Sequence, residues 1–405
     1  MSKFVKLSSI AELTVGFVGT MAKHYEDEGI PFLRSLNIKP FKIISDDMKY
    51  VSAEFSNSLS KSILHGGDVV IVRTGIPGTC CVVPAEYDGC NCSDVVIVHP
   101  NTELVNPHYL AAYINFWGQR QIQNNKVGAI QQHFNVHSAE EMLIFLPDIT
   151  EQEKIAKTIV ALNGKIENNF SVCVELEAMV KTLYDYWFTQ FDFPNENGKP
   201  YCSSGDEMVW NDQLKRKIPK GWSAGQLSDI ANITMGQSPS GDTYNENGSG
   251  TIFYQGCTDF GTRFPVPRVY TSAPTRFAKA GDILMSVRAP VGTLNIAMED
   301  CCIGRGLAAL NSKFGSQLHL LYTLSGFKQL FDVMDGNGTT FGSITKDTLF
   351  EMKVVIPRRD QIKSFEEMVQ PIEQKIRVAE QENRELTKLR DWLLPMLMNG
   401  QATVE

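Results

Sequence analysis

Hydrophobic positions along the chain alternate between two regimes. From residue 1 to about 149, and again from about 221 to 357, apolar residues come in short β-rich runs punctuated by glycine. Residues 69–73, 95–98, 283–287 and 308–310 read as strands, and residues 109–117 and 318–330 as helices. After Pro147 the period changes. Ile155, Ile159, Leu162, Ile166, Phe170, Cys173, Leu176, Val180, Leu183 and Trp187 advance by threes and fours, which predicts one stripe on a helix of roughly 38 residues, about 57 Å long. After Pro357, the series Ile362, Phe365, Val369, Ile372, Ile376, Ala379, Asn383, Leu386, Arg390, Leu393 keeps the spacing of a coiled-coil seam, interrupted by polar Asn383 and charged Arg390. Pro371 sits inside that stripe without a backbone donor, so a kink or a fresh helix start is expected there.

The two β-rich regions repeat one another at an offset of about 210 residues. Leu7-Ser8-Ser9-Ile10-Ala11 is echoed by Leu227-Ser228-Asp229-Ile230-Ala231, and Ile144-Phe145-Leu146-Pro147 by Val354-Val355-Ile356-Pro357. Gly67-Asp68 and the run to Arg73 are echoed by Gly281-Asp282 and the run to Arg288. The expected fold is therefore α+β, with two repeated, mixed β-rich domains separated by two long coiled-coil helices in a pseudo-twofold arrangement. Its boundaries are residues 1–149, a central helix 150–190, a connector 191–220, residues 221–357 and a C-terminal helix 358–398.

Composition changes this picture little. The 405 residues exceed one ordinary core, and 43% hydrophobic with 21% charged content fits a globular protein. No stretch approaches a membrane span, and Met1-Ser2-Lys3-Phe4-Val5-Lys6 lacks an apolar signal core, so a cytoplasmic protein with reduced thiols is expected. The net charge of −8 argues mildly against a solitary nucleic-acid binder. Residues 200–356 nevertheless hold 14 basic and 14 acidic side chains, with Arg263, Arg268, Arg276, Lys279, Arg288 and Arg305 in one stretch. A partner supplying further phosphate neutralisation is compatible with that balance.

Catalytic signatures are missing. There is no phosphate-binding Gly-x-x-x-x-Gly-Lys loop. His133 and His137 have metal-ligand spacing but lack the glutamate of zinc hydrolases and any counterpart in the second repeat. Asn106-Pro107 reads as a helix N-cap followed by proline at the first helical position. Cys80, Cys81, Cys90 and Cys92 lack paired Cys-x-x-Cys spacing, so buried thiols are the expected reading, with no metal and no cofactor.

In order and in duplicate, a set of short motifs resembles the specificity subunit of type I restriction–modification enzymes over essentially the whole chain. The residues that carry it are Ile218-Pro219-Lys220-Gly221-Trp222, Gly236-Gln237-Ser238-Pro239, Gly281-Asp282-Ile283-Leu284 through Pro290-Val291-Gly292, and Ile303-Gly304-Arg305-Gly306. Tyr186-Trp187-Phe188-x-x-Phe191-Asp192-Phe193 and Leu393-Leu394-Pro395 close the two helices in the same way, while the first domain departs more and begins almost directly at Leu7. The resemblance implies a non-catalytic subunit whose two target-recognition domains, held apart by two antiparallel helices, each read one half of a split site in double-stranded DNA. It also implies two modification (adenine methyltransferase) subunits and restriction subunits as partners, no membrane, and Trp187, Phe188, Trp392 and Leu393 at the subunit interface. A coiled-coil adaptor with two protein-binding modules is the alternative, and a thiol- or metal-dependent enzyme the third.

Reading base edges needs donors and acceptors on loops. The candidates are Thr14, Arg34, Arg73, Thr74, Gln131, Gln132 and His133 in the first domain. In the second they are Gln237, Ser238, Tyr254, Gln255, Arg288, Arg305, Thr340, Phe341 and Ser343. Arg73 and Arg288 stand out, each following a strand in its repeat and preceding a glycine-containing loop.

Overall fold

The computed structural model describes residues 3–118, 121, 134–336 and 343–402. It divides into two compact units: residues 1–168 with 382–405, and residues 169–381. Each takes part of both long helices.

The first unit is built on a four-stranded antiparallel sheet in the order Ala11–Val15, Val95–Pro100, Val69–Val72, Cys80–Val82. Its two central strands are apolar on both faces because both faces are covered. Val69, Ile71, Cys80, Val96 and Val98 pack towards the helix Pro107–Tyr113. Val70, Val72, Cys81, Val95 and Ile97 face a second cluster with Leu33, Ile38 and Leu64. Asn106 caps that helix, accepting from His108 N at 2.9 Å and Tyr109 N at 3.2 Å.

The second unit repeats the order with Ala231–Met235, Leu307–Ser312, Ile283–Ser286 and Leu294–Ile296. The side strands recur too. Ile30–Leu33 runs parallel to Asn91–Cys92, and Thr251–Tyr254 runs parallel to Cys301–Ile303. The shared Gly-Asp is a turn device. Gly67 and Gly281 hold φ of 96° and 91°, where a Cβ is strained, and the following aspartates accept from His65 N and Lys279 N at 2.7 and 2.8 Å.

Sheet register separates the two arginines that the repeat had aligned. Val72 pairs with Val95 and Ser286 with Leu307, so the residue after each strand is Arg73 in one unit and buried Val287 in the other. Arg288 lies one place further on and corresponds to Thr74. Side chains alternate along an extended chain, so a one-residue shift reverses the face.

The central helix runs Ile149–Tyr184 and continues as a wider turn over Asp185–Thr189. The C-terminal helix is continuous from Arg359 to Met398. No fresh start occurs at Pro371. Pro371 is exposed, and its lost hydrogen bond, costing roughly 3 kcal/mol, is outweighed by neighbouring Val369, Glu373 and Ile376 buried on the opposite face. The predicted stripe is also off by one at Phe170, which is 40% exposed, while Asn169 takes the seam at 5%.

Within each unit the helices pair antiparallel. In the first, Asn383 Nδ2 donates to Ile166 O at 3.1 Å and Arg390 to Asn163 Oδ1 at 3.0 Å, so both polar seam positions have facing partners. In the second, Cys173 contacts the Ile376 carbonyl. Ile155, Ile159, Leu394 and Leu397 enter the first unit's core; Val180, Trp187, Phe188, Phe365 and Val369 enter the second's.

The segment after the central helix is not a bare connector. Met208–Asn211 and Arg216–Pro219 form a hairpin, and Phe193 stacks on Trp222 with centroids 5.1 Å apart. Trp222 Nε1 donates to Gln361 Oε1 at 2.7 Å.

Candidate nucleic-acid interface

In the second unit the parallel pair Thr251–Tyr254 and Cys301–Ile303 ends at one edge, so Gln255 and Gly304-Arg305-Gly306 emerge side by side. Gly304 N donates to Tyr254 O at 2.8 Å and Gly306 N to Gln255 O at 3.2 Å. The strand Ala231–Met235 ends at the same edge, where Gly236 N reaches Leu307 O at 2.9 Å and Gln237 N reaches Ile303 O at 3.0 Å. The three turns touch backbone to backbone. A Cβ on Gly236 would lie 2.2 Å from the Gly304 carbonyl oxygen, and one on Gly304 2.9 Å from Gln255 Cα. That crowding is why glycine occupies both places.

The result is a cleft of about 390 Å³ lined by Ser238, Tyr244, Gln255, Asp259, Arg268 and Arg305. Arg305 N donates to Ser238 Oγ at 3.2 Å, and Ser238 Oγ donates to Gln255 Oε1 at 3.3 Å. Arg268 Nε donates to Asp259 at 2.9 Å, a hydrogen bond that raises the guanidinium's pKa further. Arg305 is exposed and forms no ion pair or side-chain hydrogen bond among the described residues. Gln237 is exposed at the rim, and its carbonyl accepts from Thr275 Oγ1.

The other candidates distribute unevenly. Arg288 is exposed and bridges Ser343 through the backbone, so these two lie together. Tyr254 is 4% exposed and belongs to the core with Ile252 and Leu284; strand alternation turns it away from the cleft that Gln255 faces. In the first unit Thr14 sits on the sheet, 3.4 Å from His99 Nε2, and His99 Nδ1 pairs with Asp68 at 2.8 Å. Arg34 donates to Asp47 Oδ2 at 2.9 Å and to its carbonyl. Arg73 Nε donates to Phe134 O at 3.2 Å, and Thr74 Oγ1 lies 3.5 Å from Ser35 Oγ. Gln131, Gln132, His133, Thr340 and Phe341 lie outside the described residues.

Of the four residues expected at a subunit interface, Trp187 and Phe188 are each 5% exposed and pack with Phe365, His319 and Trp222 inside the second unit. Their burial answers the aromatic-rich sequence around them: the rings supply this chain's own core. Leu393 is half-buried against the first unit's core, and Trp392 is 58% exposed.

Phe17 and Val18 stand at this edge of the first unit without having been among the expected contacts. Gly16 N reaches Val95 O at 3.0 Å and Phe17 N reaches Cys92 O at 2.8 Å, as Gly236 and Gln237 do in the second unit. Phe17 and Val18 therefore hold the places of Gln237 and Ser238; aligning Gly16 with Gly236 would have found them. By the same register Arg34 holds the place of Gln255.

Seven of the nine cysteines are buried thiols, and Cys202 and Cys257 are half-buried. Cys80 and Cys81 point to opposite faces of their strand, and burial pushes Cys81 and Cys301 up to about 12. Among the described residues no three metal-ligating side chains converge.

Residues 219–388 match the family model of the type I restriction modification DNA specificity domain. A protein of Methanocaldococcus jannaschii, named as a type I restriction enzyme specificity subunit, is 28% identical over 96% of this chain and 91% of its own. Residues 219–388 thus match a type I specificity domain, and along almost its whole length the chain is similar to proteins named type I specificity subunits. The HindI specificity subunit of Haemophilus influenzae is 23% identical, covering 87% of this chain and 91% of that one. A crystal structure of the type I S subunit from M. genitalium shares the fold, with a TM-score of 0.57 at 15% identity over 98% of this chain and 96% of that one. The specificity-domain match thus contains the whole cleft, from Gly236 to Arg305. No helix among the described residues is long and apolar enough to cross a membrane.

Proposed function

We propose that this chain is the DNA-reading subunit of a cytoplasmic type I restriction–modification complex, each unit taking one half of a split duplex site. Two modification subunits dock on the chain and carry the adenine-N6 methyltransferase chemistry, and restriction subunits join through that complex. The lengths of the two shared helices, Ile149–Tyr184 and Arg359–Met398, set the unread gap between half-sites. The observation that carries this reading is the same four-strand order appearing twice, each sheet accompanied by a separate smaller sheet whose parallel pair ends in turns with polar or exposed side chains. Two similar readers suit a duplex site with two halves. In the second unit the base-reading set is Gln237, Ser238, Gln255, Arg288, Arg305 and Ser343; in the first it is Thr14, Arg34, Arg73 and Thr74. Arg288 and Arg73 contact either base or phosphate, and a phosphate contact would position rather than specify.

The test is to co-express the full chain with its modification subunits in a host free of adenine methylation and to map methylated adenines genome-wide by single-molecule sequencing. Two short specified blocks around a constant gap support the reading. No new methylation, while the same modification subunits remain active with another specificity chain, turns it to a coiled-coil adaptor.

A further inference from the structure

Several acceptors that line or adjoin the second unit's cleft already have partners. Asp259 is engaged by Arg268 at 2.9 Å, and Arg268 also faces Glu246 at 3.5 Å. The Tyr244 hydroxyl donates to Pro239 O at 3.0 Å. Ser238 Oγ accepts from Arg305 N and donates to Gln255 Oε1. That last bond decides the character of the site. A glutamine with both ends of its amide free presents one donor and one acceptor, the pattern that fits adenine N7 and N6. The bond from Ser238 uses one of the two lone pairs of Oε1 and orients the amide with its oxygen towards Ser238, so the N–H groups, which have no partner among the described residues, are the end turned away from Ser238. The exposed Arg305 guanidinium is likewise a donor without any acceptor.

Two unpaired donors side by side, the Arg305 guanidinium and the Gln255 amide N–H, fit a base edge with two adjacent acceptors and oppose one that carries an amino group. In the major groove guanine presents N7 and O6 as acceptors, whereas adenine and cytosine present amino donors. We infer that this cleft reads a guanine in the half-site taken by the second unit. Arg305 and Gln255 are the specificity-determining residues, and Ser238 is a positioning residue that sets which end of the Gln255 amide faces the DNA. The inference rests on the recognition function proposed above. It belongs to the second unit alone: in the first, the place of Gln255 is held by Arg34, turned onto Asp47 at 2.9 Å, and those of Gln237 and Ser238 by Phe17 and Val18.

The experiment is methylome mapping of the full chain co-expressed with its modification subunits, comparing wild type with Arg305→Ala, Ser238→Ala and Gln255→Glu. The wild type is expected to write a split motif with an invariant guanine in one block. Arg305→Ala should lower discrimination at that guanine on the order of tenfold to a hundredfold, with the other block unchanged. Ser238→Ala releases the Gln255 carbonyl, so adenine should be accepted beside guanine at the same position. Gln255→Glu keeps the shape but replaces the donor by an acceptor, and guanine should be disfavoured. The assignment is overturned if Arg305→Ala and Ser238→Ala write the wild-type motif unchanged, or if the altered position is an A·T pair. If the wild type itself writes no split motif, the recognition reading falls, and this inference with it.

Discussion

Arg263 donates to Glu373 at 2.5 Å and to Glu177 at 2.9 Å, joining a loop of the second unit's recognition fold to both helices that enter that unit. The arginine is 3% exposed and Glu373 5%. Burial alone disfavours the charge, yet Glu373, Tyr322 and Glu177 together raise the guanidinium's pKa. Removing one partner leaves a buried charge unmatched, so Arg263→Met should destabilise the second unit by about 3–5 kcal/mol. Replacing Arg263, Glu373 and Glu177 together by apolar residues of similar size should cost much less. Chemical denaturation of both variants, followed by tryptophan fluorescence, checks the difference; equal losses would remove the pairing from the account.

Asn383 supplies the opposite case in the first unit. Its amide donates to Ile166 O, but its Oδ1 is buried with no partner among the described residues. An unsatisfied buried acceptor costs about 1–3 kcal/mol. Asn383→Leu should therefore raise the first unit's melting temperature by a few degrees. A polar seam residue also specifies helix register, so the same variant is expected to loosen the gap between the two methylated blocks. A fall in melting temperature would show that the amide contributes more than its orphaned oxygen costs.

His319 lies buried with its ring edge-on to Phe188 at 4.7 Å, and burial lowers its pKa to about 4. The unfolded chain, with an ordinary histidine near 6.5, binds a proton that the folded protein refuses. Stability from this group is fully present above pH 6.5 and is lost as pH falls towards 4, by about 3 kcal/mol in all. In His319→Gln that part of the acid sensitivity should vanish while the carboxylates' contribution persists. Denaturation midpoints of the two proteins between pH 7 and pH 4 should converge; parallel curves would contradict the assignment.

Arg288 sits exposed beside Ser343. Arg288→Ala should cost about 1–3 kcal/mol at one base position if the guanidinium reads a base edge. Competition binding with single-position DNA variants is the measurement. Uniform weakening across all sequences, with a shallower salt dependence, would identify a phosphate contact instead.

The duplication, the β-rich halves, the two long helices and the helix cap at Asn106 were legible because each is a local or periodic property. Val70 and Val72 facing one cluster while Val69 and Ile71 face another follows from a period of two; the helix seams follow from threes and fours. Glycine marked the cleft for a local reason as well, since Gly236 and Gly304 leave room for crossing backbones.

Register and burial were decided only by the tertiary fold. Composition cannot tell that Val287 stands where Arg73 does, that Asn169 rather than Phe170 takes the seam, or that Trp187 and Phe188 fill a core instead of facing a partner. Each depends on which distant strand or helix lies opposite, and a one-residue slip reverses the face of a side chain without altering the pattern that encodes it. Pro371 shows the same balance: the chain encodes a local defect, and long-range packing on the buried face keeps the helix continuous. The sequence by itself determined two repeated scaffolds and the helices they share. The tertiary structure decided which of the candidate side chains meet, because Ser238, Gln255 and Arg305, 17 and 67 residues apart along the chain from Ser238, converge only through the parallel pairing of two strands.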